Sequence, residues 1–292
     1  MNEANNNLLV AVALAALRYF TPVVLAALGG VVSERAGVIN IGLESMMLTG
    51  AYVAVAVAQA TGSLFVGVVA GVLAGALVGL LHAFFTQALR VPHILSGVGL
   101  NLGALGLTTY ALRRAEATGR ALASPAPISF PVLMIVAVVL VIAVWFVLAR
   151  TPLGLRLVAC GENPEAARAA GVNVARVRYG AVTAAGALAG LGGVVLSLAG
   201  LGAFTENMTA GRGYIALAAV IFGRWNPLGA AGAVLFFSLG VAGEITLQTL
   251  GLARIIPPDF LTLLPYVLTL VALAGIAGRS SAPAALGRTD GP

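Results

Sequence analysis

Apolar runs of about 20 residues, the length a helix needs to cross the hydrocarbon of a bilayer, recur along almost the whole chain. They are predicted at about 8–32, 41–60, 64–89, 94–112, 131–149, 180–202, 205–223, 227–248 and 260–278. The weakest is 205–223, where Glu206, Gly211, Arg212 and Gly213 fall in the first half, and a broken or half-length helix is expected there. The fold class that follows is all-α, a polytopic transmembrane helical bundle of about 8–10 spans.

The most informative interruption is 151–178, TPLGLRLVACGENPEAARAAGVNVARVR, a polar loop between two runs long enough to cross. About two turns of helix are predicted inside it. Asn163 can cap, Pro164 suits the first helical position, Glu165 favours the positive end of the dipole and Gly171 can take the left-handed stop. The helix is expected over 164–170, with Ala166, Ala169 and Ala170 on one face, small enough for a partner's groove to close on the backbone. A capped helix in such a loop reads as a docking element.

Of 292 residues 60% are apolar and 9% charged, and the mean hydropathy is +1.03, which excludes a soluble domain. All 16 basic residues are arginine, against 10 acids. The net charge of +6 is therefore read as topology charge, since no basic patch interleaved with aromatics marks a nucleic-acid surface. Arginine-rich loops stay in the cytoplasm, which places 150–178 inside. Alternation then puts Arg90, Arg224, Arg279 and Arg288 inside and the N-terminus outside. Arg113, Arg114 and Arg120 fall outside against the rule, because ALASPAPISF at 121–130 cannot supply another crossing. The N-terminal MNEANNN has no basic region, so the first run is read as a span and not as a removed signal peptide. The lone Cys160 excludes an internal disulfide, and with two histidines the chain offers no metal set.

Glycine recurs at three- and four-residue spacing as Gly67, Gly71, Gly75 and Gly79, and as Gly186, Gly190 and Gly193, a pattern that lets helix backbones approach closely. Polar groups at membrane depth are costly unless they pair, line water or act. Asn40 and Glu44 sit four apart at the start of the second span. The competing reading makes Asn40 a helix cap, Glu44 a first-turn acid and Glu34 the partner of Arg35 or another arginine. In the fourth span Ser96 and Asn101 interrupt an apolar face, with Gly97, Gly99 and Gly103 leaving room. These four, Asn40, Glu44, Ser96 and Asn101, are the candidates for a solute pathway, with helix-to-helix hydrogen bonding the alternative. His82 is expected as a packed neutral imidazole and His93 as an interfacial residue near Arg90. No GxxxxGK[ST] loop exists and no lysine could complete one; no Ser–His–Asp order, HExxH or paired Cys appears. No catalytic residue is assigned, and any energy must come from another chain.

Three segments carry a resemblance: SERAGVINIGLESMMLTGAY at 33–52, GLRLVACGENPEAARAAGVNVARVR at 154–178 and AGRGYIALAAVIFGRWNPLGAAGA at 210–233. In order and over nearly the whole chain they resemble the permease subunit of bacterial ABC importers of the ribose and branched-chain amino acid superfamily, nearest its nucleoside and simple-sugar branch. Ser45 stands where a glycine is frequent. The resemblance implies that 1–279 is one transmembrane permease domain and 280–292 a flexible tail. It implies that Gly161, Glu162, Asn163, Pro164, Glu165, Ala166, Ala167, Ala169, Ala170 and Gly171 form the cytoplasmic coupling helix. It further implies an ATPase partner, commonly double-cassette, that holds ATP and Mg while this chain binds no cofactor. The remaining implied partners are a second, longer permease or a second copy of this chain, an external lipoprotein binding protein and the bacterial plasma membrane. Branched-chain amino acids are the alternative substrate. An ion-coupled carrier using Glu44 or Glu244, and a non-transport membrane protein, are the alternative classes.

Overall fold

The computed structural model describes residues 2–119, 121–249 and 282–288. The helices are α1 (Asn2–Arg35), α2 (Leu43–Thr61), α3 (Leu64–Ala83), α4 (His93–Ala117), α5 (Phe130–Arg150), α6 (Pro152–Glu162), α7 (Pro164–Ala169), α8 (Val174–Val194), α9 (Arg212–Phe222) and α10 (Pro227–Thr249). A π-helical turn, Phe84–Ala88, extends α3, and another, Val195–Leu201, extends α8. Seven of these helices are long and apolar enough to cross a membrane, and the bundle is all-α as expected. The run at 260–278 lies outside the described residues.

α1 is the central post. Val23, Val24, Leu25, Ala26, Ala27, Leu28 and Val31 are all fully buried, against α8, α9, α10 and α5. Beside it α2, α3 and α8 meet along the glycines. A Cβ at Gly50 would stand 2.6 Å from the Gly190 carbonyl oxygen, and one at Gly75 would stand 2.6 Å from the Gly190 Cα. The helices thus approach backbone to backbone, where dispersion is strongest and lipid gains nothing by intervening.

α5 separates the two faces of the bundle. One end leads into α6 and α7, here called the near face; the other carries the 121–128 segment, the far face. Ser124 N donates to Gly202 O at 2.7 Å and Phe204 N to Leu122 O at 3.1 Å, so residues 202–204 lie on the far face. The α9–α10 turn lies on the near face, where Arg35 Nε donates to Trp225 O at 2.7 Å. Between them runs one crossing, of which only Arg212–Phe222 is helical. This is the half-length helix anticipated at 205–223.

Several boundaries differ from expectation. The 151–178 loop is mostly helical: α6 starts where Thr151 Oγ1 accepts from Gly154 N at 3.2 Å with Pro152 at the first position. α8 begins at Val174, six residues before the expected start, because Asn173 Oδ1 caps Arg176 N at 2.9 Å and helix continues past the membrane edge. α7 ends at Ala169, one residue short of the expected end. Among the described residues Glu34 pairs with no arginine; its Oε2 accepts from Trp225 Nε1 at 2.6 Å. Part of the tail expected to be flexible is docked: Ala285 N donates to Gly161 O at 2.8 Å, Gly287 N to Gly37 O at 3.0 Å and Ala284 N to Glu162 Oε2 at 3.3 Å.

Candidate functional site

The near face carries α7 as a projecting knob. Asn163 Oδ1 accepts from Ala166 N at 3.0 Å, which starts the helix. Gly171, at φ +80°, ends it, and Val172 N turns back to Ala167 O at 2.9 Å. Ala167 faces inward, packed with buried Cys160 and Val174. Glu162, Asn163, Glu165, Ala166, Ala169, Ala170 and Gly171 are exposed, while Pro164 is half-buried and Gly161 buried. The knob therefore presents backbone and methyl groups outward over an apolar anchor.

Beneath it lies a junction that single residues did not announce. Arg178, fully buried, donates from Nε to Ala36 O at 3.2 Å and from Nη1 to Gln87 Oε1 at 3.4 Å. A Cβ at Gly161 would stand 2.9 Å from the Arg35 carbonyl carbon, so α6 and the end of α1 touch through backbone. Glu34 and Arg35 hold Trp225, where Arg224 and Trp225 take φ of 56° and 53°. The three segments quoted above, remote in sequence, converge at this one place.

Residues 36–42 are irregular although they lie between membrane helices, so their backbone must find partners within the protein. His93 Nδ1 accepts from Ile39 N at 3.2 Å. His82 Nε2 lies 3.0 Å from Ile39 O and its Nδ1 2.8 Å from Ser96 Oγ. A carbonyl can only accept, so the neutral ring with its proton on Nε2 satisfies both contacts, Ser96 donating to Nδ1. Asn101 donates from Nδ2 to Ile41 O at 3.0 Å and to Tyr214 Oη at 2.9 Å, and its Oδ1 accepts from Ser45 N at 3.0 Å.

Glu44 serves the broken crossing. Its Oε1 accepts from Thr209 Oγ1 at 2.6 Å and Gly211 N at 2.8 Å, and its Oε2 from Gly213 N at 2.6 Å. A carboxylate from α2 thus caps the N-terminus of α9, where free N–H groups and the positive dipole end need one. Asn40 is fully buried; its Nδ2 lies 3.7 Å from Met46 Sδ, and among the described residues its Oδ1 accepts no hydrogen bond. The structure brings Asn40, Glu44, Ser96 and Asn101 into one neighbourhood, and Glu44, Ser96 and Asn101 spend their polar atoms on protein partners. His82, His93, Arg178, Thr209 and Tyr214 belong to the same network. The spacing of the two histidines around Pro92 gave no hint that both grip Ile39.

Helices long enough to cross a membrane, with an anchored short helix projecting from one face, make this a polytopic membrane protein with an exposed docking element. The chain belongs to the family of permease components of branched-chain amino acid transport systems, whose family model matches residues 12–273. It is 38% identical to the guanosine ABC transporter permease protein NupQ of Bacillus subtilis, over 94% of both chains. It is 36% identical to the nucleoside ABC transporter permease protein NupC of Lactococcus lactis, over 93% of both. A glucose ABC transporter permease protein of Haloferax volcanii is 30% identical over 78% of this chain and 67% of that protein. No solved structure matches it. The protein is an ABC importer permease, a transport subunit and not an enzyme, and a multi-pass protein of the inner membrane.

Proposed function

We propose that this chain forms part of the translocation path for nucleosides or related simple sugars, and that α7 is the coupling helix through which a cytoplasmic ATPase, holding ATP and Mg, drives it. The observation that carries this reading is the exposed alanine face of α7 over its buried anchor. A double-cassette ATPase, a second permease or second copy, and an external lipoprotein binding protein complete the proposed assembly. The near face is cytoplasmic, which leaves the N-terminus outside and the end of the chain inside. The exposed side of α4, where Gly99, Gly103 and Gly106 have nothing within 4 Å, forms the wall of the path. Asn40, Glu44, Ser96 and Asn101 hold that wall in shape from behind.

The test is Ala166→Trp and Ala170→Trp in the assembled transporter. Both are expected to keep wild-type insertion and lose most uptake of radiolabelled guanosine, because an indole prevents close docking. Wild-type uptake at equal expression would remove α7 from the coupling role. Orientation is read separately with Ala169→Cys, since native Cys160 is fully buried. An impermeant maleimide should label it only after permeabilisation.

A further inference from the structure

Where α5 ends and α8 begins, a crevice of about 680 Å³ opens on the near face, lined by Val32, Leu153, Leu157, Val177, Ala181 and Ala184 with Arg156 and Arg176 among them. A second cavity of about 370 Å³ shares Arg156, Arg176 and Val177 and continues to Ala170 and Gly171 at the end of α7. The first has the size of an ordinary ligand pocket, roughly 300–1,000 Å³. It lies at the level where membrane meets water, because Thr151 and Pro152 on its rim directly follow the α5 span. Leu153 and Leu155 on α6 are 63% and 71% exposed. In water those leucines would be costly, and they suit this turn of α6 to a place against acyl chains. Among the described residues no carboxylate pairs with Arg156 or Arg176.

We propose that this crevice binds one anionic phospholipid, with an acyl chain between α6 and α8 and the phosphate between Arg156 and Arg176. The occupant follows from complementarity at both ends. An apolar channel open to the bilayer takes a chain, and two guanidiniums at the headgroup level, without a carboxylate partner among the described residues, take a phosphate diester. Gly180 supports the same assignment: it lines the crevice in the first turns of α8, yet a Cβ there would meet nothing within 4 Å. The channel is thus kept open at a position where a larger side chain would fit the fold. The headgroup would stand beside the last turn of α7, so the lipid touches the docking knob.

The assembled transporter, purified in detergent and supplied with equal phosphatidylglycerol and phosphatidylcholine, is examined by native mass spectrometry. Wild type is expected to retain phosphatidylglycerol about twenty-five-fold over phosphatidylcholine, a factor of roughly five for each arginine. Arg156→Gln with Arg176→Gln should bring the ratio near parity. Gly180→Leu, and independently Ala184→Phe, should reduce retention of both lipids while melting at the wild-type temperature. Millimolar inorganic phosphate should displace neither lipid. Equal retention by wild type and the double arginine variant would overturn the proposal. So would an undiminished lipid load in both crevice-filling variants, or displacement by phosphate alone, which would mark a site for free anions.

Discussion

Where α2, α3 and α8 meet, helices are held by the absence of side chains; where α1, α2, α4 and α9 meet, they are held by polar side chains that reach across. At the first seam a Cβ on Gly50, Gly75 or Gly79 would lie closer to a neighbouring carbonyl oxygen than van der Waals contact allows. At the second, Glu44, Asn101, His82, His93 and Glu34 each bond backbone or side chains of another segment. The difference follows from the backbone. Straight helices satisfy their own N–H and C=O groups and need only approach one another, whereas residues 36–42 and 208–211 leave groups open where the protein itself must supply partners. Buried Glu, Asn, His and Arg side chains therefore track broken backbone, whereas buried Thr21, Thr108 and Ser238 only bond back to their own helices, and a long polar residue beside such a break is first of all a fastener.

The comparison is tested most severely at the glycine seam. Gly75→Leu is expected to abolish recovery of folded protein, since overpacking a core costs about 1–3 kcal/mol when side chains can yield and more when the obstacle is backbone. Gly103→Leu, on the open face of α4, should be recovered like wild type in size-exclusion profiles. Equal recovery of the two would mean that the close approach is not what holds α3 to α8. Next comes Glu44→Ala, which strands the Thr209 hydroxyl and the N–H groups of Gly211 and Gly213. With about 1.5–3 kcal/mol for each bond to a charged group, several kcal/mol should go. Glu44→Gln should recover part of the melting temperature, because one oxygen still accepts.

Asn101→Leu separates fastening from conduction. Its loss should cost about 1–3 kcal/mol of stability, with nucleoside uptake per folded molecule unchanged. A normal melt with reduced uptake would instead put Asn101 in the path. The smallest effect is expected at Arg113, whose guanidinium lies 3.3 Å from Glu206 with both side chains largely exposed. Arg113→Ala should change stability by less than about 1 kcal/mol. A larger loss would show that this far-face pair, which accompanies the arginines that defied the loop rule, anchors the start of the broken crossing.

The contrast also explains what could be read in advance. Apolar length located the seven spans among the described residues, because about 20 residues is what a bilayer demands. Gly211, Arg212 and Gly213 betrayed the half-length helix, because neither a charge nor paired glycines suit a clean crossing. The glycine seam was visible as spacing within each helix. The fasteners were not, because their meaning lies in partners far along the chain: Ser45 and Asn101 are 56 residues apart, Glu44 and Thr209 165, and Glu34 and Trp225 191. Read singly, Asn101 and Glu44 looked equally like a pathway. α6 was passed over although Thr151 and Pro152 carry a start signal, since its arginine and glycines read as loop.

The docked turn at 283–288 sets a clock on assembly. Glu162, next to the projecting helix, waits for Ala284, made 122 residues later. At about 5–20 residues per second, the platform stays unfinished for roughly 6–24 s after its own residues have been made. If α7 is the docking knob proposed above, an ATPase arriving in that interval meets a surface from which the turn at 284–287 is still missing. Docking of this turn thus divides the platform made before residue 284 from the one made after it.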